Sequence, residues 1–239
     1  MGCDIQKTFM VDVAANYRKV LERISEAAVK CGRDPKGIKL LAASKAQNAS
    51  RILQAIEAGI GLFGENYVQE AKAKREAIKD PVEWHMIGHL QRNKVKTALE
   101  IFDLIQSLDS LELARELDRE GKKRGKTVRV FLEVNLGGEE SKSGIPQEKI
   151  ESLLREVGAL SHLRIEGLMV IPPFRENPEE MRPYFRALRE LQRDLMALNI
   201  PNVELKELSM GMTHDYPVAI EEGATLVRIG TAIFGPRGA

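Results

Sequence analysis

Eight short apolar runs, with helical patterns between most of them, constrain this chain more than any other feature. The runs fall at residues 38–44, 61–65, 83–88, 103–107, 128–135, 164–171, 204–210 and 225–230. Runs of this length read as buried strands. Apolar residues at helical spacing separate them at 49–58, 67–79, 110–124, 146–160, 178–198 and 216–222. Such alternation implies parallel strands joined by crossover helices. Eight units within 239 residues match a closed (β/α)₈ barrel. The competing doubly wound open sheet is disfavoured, because no Gly-x-Gly-x-x-Gly follows the first strand. Ahead of the first strand, residues 9–31 place Val13, Tyr17, Val20, Leu21, Ile24 and Ala28 at helical spacing, and Gly32 is a plausible stop. The expected fold is therefore a single (β/α)₈ TIM-type barrel with an additional N-terminal helix, forming one domain over residues 1–239.

Charge and cysteine content narrow the function classes. With 36 basic and 35 acidic residues the net charge is +1, which argues against nucleic acid or an anionic membrane as partner. No apolar run is long enough to span a bilayer, and no signal-peptide pattern opens the chain. The start, Met1-Gly2-Cys3-Asp4-Ile5-Gln6, lacks the Ser or Thr that a myristoylation signal wants at position 6. Cys3 and Cys31 are too few for a disulfide scaffold, which points to a cytoplasmic protein. His85 and His89 straddle a strand-to-loop corner with Gly88 between them, so no metal site is expected.

The ends of the strands carry the chemistry, as barrels of this kind require. Lys45 follows the first run at once. An amine at the end of a buried strand is either a snorkelling surface cation or a desolvated nucleophile able to condense with an aldehyde. In Leu226-Val227-Arg228-Ile229-Gly230, period-two alternation turns Arg228 into the barrel. There it requires either a carboxylate partner, such as Glu65 or Glu133, or an anion or heterocycle as ligand. The loops after the seventh and eighth strands suit phosphate. Ser209-Met210-Gly211-Met212-Thr213 places two hydroxyls around a glycine, and Gly230 with Thr231 offers backbone N–H groups and a hydroxyl. On the third strand His85 shares a face with Ile87. The polar run from Gly137 to Gly144 reads as a rim loop and lacks the Walker pattern.

These same residues resemble the pyridoxal-phosphate homeostasis protein family. The matching segments are Ala43-Ser44-Lys45, Phe63-Gly64-Glu65-Asn66-Tyr67, and Trp84-His85-Met86-Ile87-Gly88-His89-Leu90-Gln91-Arg92-Asn93-Lys94. Further along come Glu139-Glu140-Ser141-Lys142-Ser143-Gly144, Gly167-Leu168-Met169, Leu208-Ser209-Met210-Gly211-Met212, and the run from Val227 to Gly235. The resemblance implies a barrel of the alanine-racemase type with pyridoxal 5′-phosphate (PLP) as an internal aldimine on Lys45. It further implies that Ser209, Gly211, Gly230 and Thr231 hold the phosphate and Arg228 faces the pyridine nitrogen, with Asn66 and His85 close to the cofactor. The chain departs from the family at Lys45-Ala46-Gln47-Asn48, where Lys-Thr-Lys-Pro is common; Asn48 can cap the following helix instead.

Two functional classes follow. One is a carrier that holds and releases PLP inside the cell, with apo PLP-dependent enzymes as acceptors. The other is a PLP-dependent amino-acid racemase. The carrier is favoured, since an arginine at the pyridine nitrogen weakens the electron sink. Racemisation also needs a second acid/base group on the opposite cofactor face, and none of Tyr17, Tyr67, Tyr184 and Tyr216 sits in a recognisable counterpart segment. The lack of a dimer-forming second domain leans to a monomer. A barrel that binds another phosphorylated metabolite would leave Lys45 unexplained.

Overall fold

A computed structural model of the chain describes residues 11–137 and 143–236. Eight parallel strands form its centre: β1 (Lys39–Ala43), β2 (Leu62–Glu65), β3 (Glu83–Met86), β4 (Leu104–Leu108), β5 (Val128–Asn135), β6 (Leu163–Val170), β7 (Val203–Met212) and β8 (Leu226–Ile229). They pair in the order β4-β3-β2-β1-β8-β7-β6-β5, and pairing of β4 with β5 closes the barrel. A two-residue strand, Ile145–Pro146, adds to the end of β5.

The helices are α1 (Val13–Lys30), α2 (Ala49–Glu57), α3 (Val68–Ala77), α4 (Val95–Ala98), α5 (Leu111–Arg124), α6 (Ile150–Val157), α7 (Arg182–Met196), α8 (Tyr216–Glu221) and α9 (Thr231–Phe234). One follows each strand, and α1 precedes the barrel. This is the expected TIM-type barrel with its extra N-terminal helix. The link from β3 to β4, which carries no helical period, holds only a 3₁₀ turn and the four-residue α4. A single turn is too short for periodicity to register.

Two apolar layers hold the barrel. Leu41, Ile87, Leu104, Phe131, Met169 and Leu226 meet inside it. Phe63, Trp84, Val227, Ile229 and many others fill the space between strands and helices. Each such side chain contributes about 1.5–3 kcal/mol on leaving water. The split along β8, Leu226 inward with Val227 and Ile229 outward, places Arg228 inside. Helix α1 buries Val13, Val20, Ile24 and Ala28 and packs on α8 and α9, where Asn16 Nδ2 donates to the Ile233 carbonyl at 3.1 Å. Leu21 corrects the sequence reading: it is 40% exposed and belongs to the outer edge of that stripe. Asn48 caps α2 as expected, its side chain accepting from Arg51 N at 2.9 Å. Among the described residues no helix is long and apolar enough to cross a membrane.

Candidate functional site

Lys45 sits in a tight turn at the carboxyl end of β1. Ser44 N–H continues the ladder to the Gly64 carbonyl at 3.0 Å, and Gln47 N–H closes the turn on the Ser44 carbonyl at 3.0 Å. Half-buried, Lys45 lines a cavity of about 340 Å³ at the barrel mouth. Asn66, Arg228, Gly230, Thr231, Thr213 and Gln47 share that cavity. Its outer wall is apolar and open to solvent, with Ile171 42%, Phe174 71% and Met212 36% exposed. The Phe174 ring lies 5.4 Å from that of His214, whose Nε2 donates to the Glu176 carbonyl at 2.8 Å.

Arg228 forms part of the cavity wall from inside the barrel. It is 4% exposed, and its guanidinium donates to Ser209 Oγ at 2.6 Å and to the Val170 carbonyl at 2.8 Å. Neither Glu65 nor Glu133 forms an ion pair with it. Burial pulls the guanidinium down to about 10, against the opposing fields of Asp215 and Glu133, so it remains a cation at neutral pH. From Arg228 a row of hydrogen bonds descends through the barrel. Ser209 Oγ donates to Gln106 Oε1 at 2.6 Å, and Gln106 Nε2 donates to His85 Nδ1 at 2.8 Å. His85 Nε2–H is left to donate to Glu83 Oε1 at 3.0 Å. That bond, with Arg129 adding to it at 2.9 Å, holds the Glu83 carboxyl down at about 2. Glu133, also buried, has its carboxyl pushed up to about 7, chiefly by burial and then by the charge of Asp109.

The loops after β7 and β8 meet at the other side of the cavity. The register between β7 and β8 shifts between the Ser209–Leu226 and Met212–Arg228 pairs. Gly211 lies within this irregularity at φ +89, where an added Cβ would stand 2.6 Å from Ala219 Cβ and 2.9 Å from Tyr216 Cα. Only glycine fits that close approach of β7 to α8. Beyond it the buried Asp215 accepts from Met212 N at 2.7 Å, and Thr213 Oγ1 accepts from Ala232 N at 3.4 Å. Thr213 thus ties the first loop to the start of α9.

Of the residues singled out in the sequence, Lys45, Asn66, Arg228, Gly230 and Thr231 converge on one cavity. Three lie elsewhere. Ser209 spends its hydroxyl on Arg228 and Gln106, Gly211 serves the packing of α8, and His85 stands below, joined to Arg228 only through Gln106 and Ser209. Gln47, which shares the cavity, and Gln106, in the row below Arg228, carry no functional signal in the sequence. Thr213, the second hydroxyl of the Ser209–Thr213 motif, lines the cavity where Ser209 does not. Among the described residues no cluster of His, Cys, Asp or Glu is arranged to hold a metal. Residues 138–142 of the rim loop lie outside the described residues.

A closed parallel barrel with a lysine and two anion-ready loops at its mouth defines a class, and the alanine racemase N-terminal domain family matches residues 13–238. The pyridoxal phosphate homeostasis protein of Aquifex aeolicus is 48% identical over 92% of this chain and 96% of its own. The chain belongs to the pyridoxal phosphate homeostasis protein family. Among solved structures, PipY of Synechococcus elongatus, determined with PLP bound, superposes with a TM-score of 0.80 at 37% identity, over 90% of this chain and 100% of PipY. An uncharacterised protein of Bifidobacterium adolescentis reaches a TM-score of 0.88 at 37% identity, over 93% and 94% of the two chains.

Proposed function

We propose that this chain binds PLP covalently through Lys45 and holds and releases it without substantial turnover. The observation that carries the reading is the convergence of one amine, one buried guanidinium and two threonine hydroxyls on a single cavity of about 340 Å³. That set fits the cofactor. PLP, when bound, supplies an aldehyde that condenses with a primary amine. Thr213 and Thr231, with the backbone at Gly230, are suited to phosphate oxygens, at the position where barrels commonly keep a phosphate. Arg228, fixed by Ser209 and the Val170 carbonyl, presents a cation that cannot act as a proton acceptor to the ring. Asn66 lines the same wall as Lys45, and the solvent-open edge of Ile171 and Phe174 gives the cofactor a route in and out.

The carrier reading is favoured over a racemase because none of the four tyrosines lines this cavity and the cation toward the ring is a poor partner for an electron sink. Release to apo PLP-dependent enzymes, a cytoplasmic location and a monomeric state complete the proposal.

Two measurements test it. Borohydride reduction of the PLP-loaded protein, followed by peptide mass spectrometry, should place a covalent adduct on Lys45; an adduct on another lysine sinks the assignment. The loaded protein is also incubated with a panel of L-amino acids in deuterium oxide. Turnover of any of them on the order of 1–10³ s⁻¹ would overturn the carrier reading.

A further inference from the structure

The backbone on both sides of Lys45 is gripped by a small cluster of charges from α3 and the end of β2. Lys74 is only 6% exposed, and its ammonium spends three hydrogen bonds there: to the Ser44 carbonyl at 2.7 Å, to Glu65 Oε1 at 2.7 Å and to Glu70 Oε1 at 2.5 Å. An ammonium has three protons to give, so its capacity is filled. Glu65, fully buried, also accepts from Ser44 Oγ at 2.5 Å. Glu70 Oε1 accepts from Ala46 N at 2.6 Å. Residues 44 and 46 are therefore both tethered, while Lys45 between them faces the cavity.

The tether holds something that alanine resists. Ala46 has φ +60, at the third position of a turn that the Gln47 N–H closes on the Ser44 carbonyl. Left-handed backbone at that position favours glycine or asparagine. Such a conformation persists in other residues only when its surroundings enforce it. None of Glu65, Glu70 and Lys74 lines the cavity, so their effect on it runs through the turn.

We infer that Lys74 and Glu70, supported by Glu65, are positioning residues that hold the Ser44–Gln47 turn left-handed and so keep the Lys45 amine aimed into the cavity. This rests on Lys45 as the attachment point proposed above.

The test uses amide hydrogen exchange at position 46 in the protein without added PLP, alongside titration with PLP read as covalent adduct on Lys45. Glu70→Ala should speed exchange at position 46 and lower the adduct formation constant about tenfold, the share of one charge-assisted hydrogen bond. Glu70→Gln keeps an acceptor oxygen and should stay within about threefold of the parent chain, since a neutral acceptor bond is only modestly weaker. Adding Ala46→Gly to Glu70→Ala should recover most of the loss, because glycine adopts positive φ unaided. Ala46→Val leaves every charge in place at an exposed site and should also weaken the adduct, so the idea stays testable even where loss of Glu70 impairs folding. An unchanged adduct constant in Glu70→Ala and Ala46→Val overturns the positioning role, as does a failure of Ala46→Gly to recover it. Absence of a Lys45 adduct in the parent chain instead overturns the attachment point itself.

Discussion

Glu133→Gln isolates a buried acid whose protonation is set chiefly by burial. The Glu133 carboxyl sits at about 7, raised by burial and by Asp109 against the opposing fields of Arg228 and His89. In the unfolded chain it returns to the ordinary value near 4.5. Between these two values the unfolded state gives up its proton while the folded state keeps it. Stability therefore falls as pH rises from about 4.5 to about 7 and is level above that. The full excursion is about 3 kcal/mol. A glutamine is neutral in both states and removes this slope. Relative to the parent chain, Glu133→Gln should thus gain about 3 kcal/mol between pH 4.5 and pH 8, a relative Tm gain of about 6–12 °C for a chain of this size. Thermal melts of both proteins across that range make the test, since titrations away from Glu133 are common to the pair and cancel. Parallel curves would refute the assignment, and a gain toward acid pH would reverse its sign.

Three further outcomes are expected. Thr213→Ala and Thr231→Ala should each weaken PLP retention by about 1.5–3 kcal/mol and leave pyridoxal binding unchanged; equal losses for both ligands would remove the phosphate from these loops. Gln106→Leu strands the Ser209 hydroxyl and His85 Nδ1 in the barrel and should cost about 2–6 kcal/mol, measured by urea unfolding; a cost within about 0.5 kcal/mol, as for an ordinary surface change, would mean the row contributes no stability. Gly211→Ala must place a Cβ 2.6 Å from Ala219 Cβ at φ +89 and should cost about 2 kcal/mol or more, with unchanged melting counting against the described bulge.

What the sequence made legible follows from what each residue needs locally. A buried strand needs a continuous apolar run, so the eight strands stood out within a residue or two of their ends. Arg228 was placed inside the barrel because strand alternation is a local rule, and Lys45 stood out by its position just past a run. Residues whose meaning lies in distant partners were silent. Gln106 in Leu104-Ile105-Gln106-Ser107 is one polar side chain in a buried strand, and its partners His85 and Ser209 stand 21 and 103 residues away. Lys74 sits in a helix rich in Ala and Lys, where a lysine ordinarily reads as surface; its burial comes from Glu65 on a neighbouring strand. Strand periodicity carries no sign of the register shift at Gly211, which sets Ser209 against Arg228 and Thr213 in the cavity wall.

The hydrogen-bonded row beneath the cavity has a grammar of its own. A guanidinium can only give protons, so Arg228 dictates the sense of each bond below it, through hydroxyl, carboxamide and imidazole to a carboxylate that can only receive. The row can be read in one direction alone. A second proton on the imidazole of His85 would set two donors face to face, and the discord is mended only by turning the carboxamide of Gln106 and re-aiming the hydroxyl that steadies Arg228. The donor and acceptor pattern at the Glu83 end of the row is in this way tied to Arg228 in the cavity wall through Ser209, Gln106 and His85.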